Sequence, residues 1–315
     1  MTKYTPKMVQ VSISSVNRRV ADEPALIVSE AEDKFAAQIS EACRFVVEKN
    51  CSFVFLAGPS SSGKTTASKM MVEGLEAMGK TAIRVSLDNF YKDRDDLPLW
   101  RNGRRNYESI KGLDLDYFKE LLDRLKADNH ADFPVFDFTE GKRGTKTFSV
   151  VLTPETYLIF EGIHALNPIF EEIAGESCSV KIYISPHSDY VDDNGGVVLS
   201  GRNLRLIRRL LRDNSVRNAG PNMTFDMWED VVKGEVQYIA PYRKHADLHI
   251  NSTHAYEPGV YKDMLLSVFE GYDAAKEFES IRDELLLAVK AFSPLSKTHI
   301  PKNSLLREFV PSILS

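Results

Sequence analysis

An α/β fold with a mainly parallel central sheet is what this sequence predicts, and two observations carry the prediction. Short continuous apolar runs alternate with segments of helical periodicity, and the first such run feeds a glycine-bounded loop that opens a helix. Ser52-Phe53-Val54-Phe55-Leu56-Ala57 shows no polar alternation, as expected of a strand covered on both faces.

Taken in order, residues 1–28 are weakly patterned and read as an arm or lead-in. Ser29-Glu30-Ala31-Glu32 has the form of a capping box, with Phe35, Ile39, Phe45 and Val46 on one helical face that packs onto the sheet. After the loop, residues 64–78 read as a helix, with Met70, Met71, Leu75 and Met78 inward and Gly79 as its stop. A second strand, residues 81–87, ends on Asp88. Residues 115–125 form a helix, and 157–160 and 180–184 are buried strands. Residues 203–212 make a very basic helix, and 247–250 a last short strand. Two amphipathic helices follow, near 260–272 and 275–291. Residues 89–112 and 137–153 are long and polar, with Pro, Gly and aromatics, and read as loops over a site. The organisation expected is one domain over 29–292, with a lid near 202–220, followed by a tail over 293–315.

Composition narrows the partners. The chain has 315 residues, 43% hydrophobic and 27% charged, and a formal net charge of −5. That balance gives no bulk attraction to nucleic acid or to an anionic membrane. Cys43, Cys51 and Cys178 lack CxxC spacing and suit buried free thiols in a reducing cytoplasm rather than zinc or disulfides. No apolar run is long enough to span a bilayer, and residues 1–19 lack the apolar stretch of a signal peptide. A cytoplasmic protein with neither nucleic-acid nor membrane partners is expected. Its oligomeric state is open, a homo-oligomer included.

The chemistry begins at Gly58-Pro59-Ser60-Ser61-Ser62-Gly63-Lys64-Thr65, which fits Gly-x-x-x-x-Gly-Lys-Ser/Thr at every fixed position. Glycines let successive backbone N–H groups turn inward at a helix N-terminus and form an anion nest. Gly58, Ser60, Ser61, Ser62, Gly63, Lys64, Thr65 and Thr66 are the expected nucleotide contacts. Lys64 would reach the β- and γ-phosphates, and the Thr65 hydroxyl would ligate Mg²⁺. Two acids, Asp88 and Glu161, end predicted strands, where ligands of open α/β sheets gather. One carboxylate there can hold Mg²⁺, and another can accept a proton from an attacking hydroxyl. Each acid by itself could equally be a cap or a surface group.

Arg202, Arg205, Arg208, Arg209, Arg212 and Arg217 fall within sixteen residues, interleaved with Leu204, Ile207, Leu210 and Leu211. Arg209 and Arg212 share a face. Arginines closing over a phosphoryl group offset its charge, so a lid is the functional reading and a solvated face the bland one. Nucleic-acid binding is a weaker rival in an acidic chain without interleaved aromatics.

Five ordered motifs now resemble the uridine kinase/phosphoribulokinase family. They are the loop at 58–65, Ser86-Leu87-Asp88-Asn89-Phe90-Tyr91, Pro134-Val135-Phe136-Asp137-Phe138, Ile159-Phe160-Glu161-Gly162-Ile163 and Arg208-Arg209-Leu210-Leu211-Arg212-Asp213. The run Glu161–Pro168 and the late Ser304–Phe309 are similar to a bacterial uridine-kinase-like subgroup. The resemblance implies a three-layer α/β/α P-loop fold with lid and substrate-binding insertions, using ATP and Mg²⁺. It implies Asp88 as base, with Lys64, Arg209 and Arg212 as charge-offsetting catalytic groups. Thr65, Glu161 and Asp88 would serve the metal. Tyr91, Tyr107, Glu108, Phe136, Phe138, Arg143 and Arg217 would bind substrate, a nucleoside such as uridine or cytidine phosphorylated at its 5′-hydroxyl.

The pocket departs from the family pattern. Where uridine-cytidine kinases read Asn-Phe-Asp-His-Pro, this chain reads Asn106-Tyr107-Glu108-Ser109-Ile110, so Glu108 would hold the ribose with a longer reach. Phe136 replaces a Tyr, and Gly141 falls where a His contacts the pyrimidine. Two other readings stand beside the nucleoside kinase: a kinase of another sugar or polyol on the same scaffold, and a nucleotide-binding regulatory module.

Overall fold

The computed structural model describes residues 8–175, 177–217 and 219–310. The chain opens with β1 (Val9–Ser12) and α1 (Ile13–Asp22), followed by α2 (Pro24–Lys49). This corrects the reading of an arm: α1 buries Ile13, Val16 and Val20, while β1 pairs in parallel with a later strand. The expected capping box is also displaced. Pro24, pre-set for the first helical turn, starts α2, and Ser29 lies inside it with its hydroxyl donating to Asp33 at 3.3 Å.

β2 (Phe53–Ala57), α3 (Lys64–Ala77) and β3 (Thr81–Ser86) follow as their patterns predict. Gly79, at φ 75°, takes the left-handed turn after α3, and Met78 is exposed rather than inward. Next come α4 (Leu115–Asp128), β4 (His130–Asp137) and β5 (Lys142–Val151). β4 and β5 form an antiparallel hairpin where a loop was expected over 137–153. Most of β5 is exposed, so no apolar face marked it in the sequence.

β6 (Thr156–Glu161), α5 (Pro168–Ala174), β7 (Ser179–Ser185), β8 (Ser188–Val191) and β9 (Val197–Leu199) lead to α6 (Gly201–Val216) and α7 (Pro221–Gly234). β10 (Leu248–Asn251), α8 (Glu257–Phe269) and α9 (Glu279–Lys290) complete the helices and strands. The central sheet runs β10-β7-β2-β6-β3, with all four pairings parallel. Every residue of β2 and β6 is buried, because helices cover both faces. One apolar layer joins α2, α3, α6, α8 and α9 to the sheet, and the other joins α4 and α5. This is the three-layer α/β/α arrangement.

Two further readings change. Cys51 and Cys178 form a disulfide, with Cα atoms 4.8 Å apart, while Cys43 is a buried free thiol. The two cysteines precede β2 and β7, whose register sets Phe53 beside Ser179, so distant positions meet at neighbouring strand ends. The tail is also folded in: Leu295, Ile300, Leu305, Leu306, Phe309 and Val310 are buried, and 311–315 lie outside the described residues. Among the described residues, no helix is long and apolar enough to cross a membrane.

Candidate functional site

The glycine-bounded loop joins β2 to α3 at the carboxyl end of the sheet, where strand order places ligands. Ser61 (φ 58°) and Gly63 (φ 89°) are left-handed, which turns successive N–H groups toward the concave side. Gly58 permits close approach, since a Cβ there would lie 2.2 Å from the Ile184 carbonyl oxygen. The Lys64 ammonium donates to the carbonyls of Gly58 at 2.8 Å and Pro59 at 3.1 Å. Burial lowers its pKa, opposed by the negative charges of Glu161, Asp88 and Glu308.

α6 braces this loop from the side. Arg205 donates to the Ser60 carbonyl at 3.2 Å, Arg208 to the Ser61 carbonyl at 3.3 Å and Arg209 to the Ser60 hydroxyl at 3.0 Å. Arg208 is fully buried and paired with the equally buried Glu257, at 2.8 and 2.9 Å. Asp213 gathers the other arginines: Arg209 at 3.1 Å, Arg212 at 3.0 Å and Arg217 at 3.4 Å. Sequence reasoning assigned roles to those three arginines and missed the aspartate that collects them.

Beside the loop, at the ends of the strands that follow β2 across the sheet, stand the two acids. Register sets Ser86 beside Glu161, and Asp88 follows two residues later in the turn Leu87–Phe90. Burial, then the charge of Glu161, pushes the Asp88 carboxyl up to about 6, against the pull of Lys64, Arg217 and Arg84. Glu161 is held by Arg84 at 3.0 Å.

A second wall of the site is built from residues 94–109, the β4–β5 turn and α7. Glu108 packs on Gly234, where a Cβ would lie 2.2 Å from that of Glu108. Burial raises its carboxyl to about 7, offset by Arg209 and Lys64 and reinforced by Asp88 and Glu235. Glu108 therefore shares one electrostatic site with Asp88, Lys64 and Arg209. Tyr91 donates to the Tyr107 carbonyl at 2.7 Å, and the Tyr91, Phe136 and Phe138 rings follow one another at 6.3 and 5.1 Å. A cleft of about 690 Å³ opens beside Glu108, walled by Leu99, Trp100, Tyr107, Met223 and Met227.

Two further positions are engaged within the protein itself. Arg143 is committed to Asp114 at 2.7 Å and to the Tyr117 ring at 4.6 Å. Gly141, at φ 70°, is packed by Arg94, whose Nε lies 2.6 Å from where a Cβ would stand. Arg94 thus fills the space beside Gly141. His164 is a residue the sequence reading passed over. It is buried within the Glu161-Gly162-Ile163-His164 run and faces the Glu108 main chain, and burial drops its pKa to about 4.

Residues 53–257 match the model of the Phosphoribulokinase / Uridine kinase family. The chain belongs to that family. A uridine kinase from Deinococcus deserti is 28% identical over 211 residues, 67% of this chain and 91% of that one. A uridine kinase from Staphylococcus haemolyticus is 29% identical over 202 residues, 64% and 87% of the two chains. Similar solved structures include a phosphoribulokinase from Rhodobacter spheroides, 16% identical with a TM-score of 0.43 over 64% of this chain and 70% of that one. Another is a D-glycerate 3-kinase from Cryptococcus neoformans var. grubii, 16% identical with a TM-score of 0.36 over 84% and 90%. As a member of the Phosphoribulokinase / Uridine kinase family, the protein is a phosphotransferase that carries a phosphoryl group from ATP to a small-molecule hydroxyl.

Proposed function

We propose that the acceptor is a nucleoside, uridine or cytidine, phosphorylated at its 5′-hydroxyl. The observation that carries this reading is the placement of Glu108. It lies within the field of Asp88, Lys64 and Arg209, next in sequence to Tyr107, whose carbonyl Tyr91 holds in a run of rings that suits a planar base. Glu108 would accept hydrogen bonds from the ribose hydroxyls, and Tyr91, Tyr107, Phe136 and Phe138 would line the base. The names of the relatives support the same class of acceptor.

In the mechanism, Gly58 to Thr66 bind the nucleotide. The Ser61 and Ser62 hydroxyls, buried without a partner, suit phosphate oxygens. The Thr65 hydroxyl with the Glu161 and Asp88 carboxylates suits Mg²⁺, a hard cation that prefers oxygen donors. Among the described residues no three His, Cys, Asp or Glu side chains converge, so phosphate oxygens and water would complete the ion's shell. The ion would neutralise phosphate charge when bound. Asp88 orients the acceptor hydroxyl and takes its proton as the oxygen attacks in line. Lys64, Arg209 and Arg212 offset charge on the transferred group, and Arg217 approaches from the end of α6.

A second reading, a non-nucleoside alcohol as acceptor, is favoured by Arg94 standing where the family pattern has a base-reading histidine. A panel of acceptors decides between them: ADP release is followed with ATP, Mg²⁺ and one alcohol at a time. Turnover with uridine or cytidine is expected. Silence with every nucleoside, together with turnover of a sugar or polyol, would overturn the nucleoside assignment.

A further inference from the structure

The chain beyond α9 returns to the phosphate loop and is fixed there by packing. Leu305 lies on Gly63, where a Cβ would sit 2.3 Å from its Cδ1. The Phe309 ring lies 5.0 Å from the Arg208 guanidinium, and the Ser304 hydroxyl donates to Glu32 at 2.6 Å. Between these anchors Glu308 points at the first turn of α3. Its Oε2 accepts from the Thr66 hydroxyl at 2.9 Å and from the Thr66 N–H at 3.4 Å.

The N–H groups of a first helical turn have no partner within the helix. In a phosphate loop they are the donors a nucleotide uses. Lys64 serves the β- and γ-phosphates, so Thr66, two residues further into α3, is left for the α-phosphate. We propose that Glu308 is a built-in competitor of the nucleotide's α-phosphate at Thr66. Nucleotide binding displaces its carboxylate and loosens the hold of residues 304–309 on the loop. The inference rests on reading residues 58–66 as the nucleotide cradle. One N–H and one hydroxyl cannot serve two anions at full strength, and two negative groups at contact distance repel. Glu308 also belongs to the negative charge felt by Lys64. The loop therefore carries a counter-charge of its own, held in place by Leu305 and Phe309.

Calorimetric titration of the full chain and of Glu308→Gln with ADP tests this. Removing the charge should lower the Kd for ADP by about three- to tenfold, the scale of a charge at a helix N-terminus. Adenosine, which has no phosphate to compete, should bind both proteins equally. The ADP-induced rise in Tm should be larger in Glu308→Gln, and Glu308→Asp, with its shorter reach, should fall between the two. An ADP affinity unchanged or weakened in Glu308→Gln overturns the proposal. If Lys64→Ala still abolishes ADP binding in that case, the cradle stands without it. An equal gain for adenosine also overturns it, and a full chain that binds no ADP would overturn both the proposal and the cradle.

Discussion

The phosphate side and the acceptor side of this site are built by different means. On the phosphate side the binding atoms are main-chain N–H groups, and buried arginines of α6 hold the loop through hydrogen bonds to its carbonyls and the Ser60 hydroxyl. On the proposed acceptor side the groups available for binding belong to side chains, several exposed, carried on loops and a hairpin end. Backbone donors recognise any phosphate chain and tolerate little change in sequence. Side-chain walls can be rebuilt around another alcohol while the fold stays the same. Conservative chemistry and adjustable specificity thus sit a few residues apart.

The comparison can be broken most decisively at Asp88, proposed to serve both sides. Asp88→Asn should lower kcat by about 10²- to 10⁴-fold while leaving ATP binding intact, measured by turnover and by nucleotide titration. The same variant carries a stability signature. Because the folded carboxyl is raised to about 6 from the ordinary aspartate range, the folded state binds the proton more tightly than the unfolded one. Stability contributed by that proton is present at low pH and is lost as pH rises toward 6. Asp88→Asn should therefore raise Tm at pH 8 and lose that advantage near pH 4. A Tm gain equal at both pH values would contradict the buried-charge account.

On the phosphate side, Arg208→Ala leaves Glu257 as an unpaired charge in the interior. A loss of about 3–5 kcal/mol in denaturant unfolding is expected. A loss below about 1 kcal/mol, the scale of a surface ion pair, would show that α6 does not brace the loop as described.

On the acceptor side, Glu108→Gln should raise the KM for the acceptor more than it lowers kcat, with the KM for ATP unchanged. It should also remove an ionisation near pH 7 from the kcat/KM profile for the acceptor. An ATP KM that moves as much as the acceptor KM would merge the two sides into one. The smallest effect belongs to Phe138→Ala. The ring is exposed and meets Phe136 edge to face at 5.1 Å, so a change of only a few-fold in acceptor KM is expected, with stability within about 0.5 kcal/mol of the parent.

What the sequence made legible follows the same division. The buried strands, the loop at 58–65 and the basic helix were readable because burial on both faces and phosphate binding each impose a residue pattern. β5 was not, since an exposed strand needs no apolar alternation. Nor were β1 and α1 or the segment 295–310, whose few apolar positions gain meaning only against distant partners. The Cys51–Cys178 pairing depends on β2 and β7 being neighbours, which strand order alone decides. In the site, Asp88, Glu161 and Lys64 were marked by motif. Asp213, His164 and Glu308 became visible only through the arginines, the main chain and the helix end that they meet.

The nature of the phosphorylated product tests the central claim most directly. The protein, ATP and Mg²⁺ would be incubated with uridine and, separately, with cytidine, and the products resolved by phosphorus NMR. A nucleoside 5′-monophosphate formed by the parent protein and absent with Asp88→Asn is the predicted result. ATP turnover with a sugar or polyol but no phosphorylated nucleoside would contradict the assignment of the acceptor.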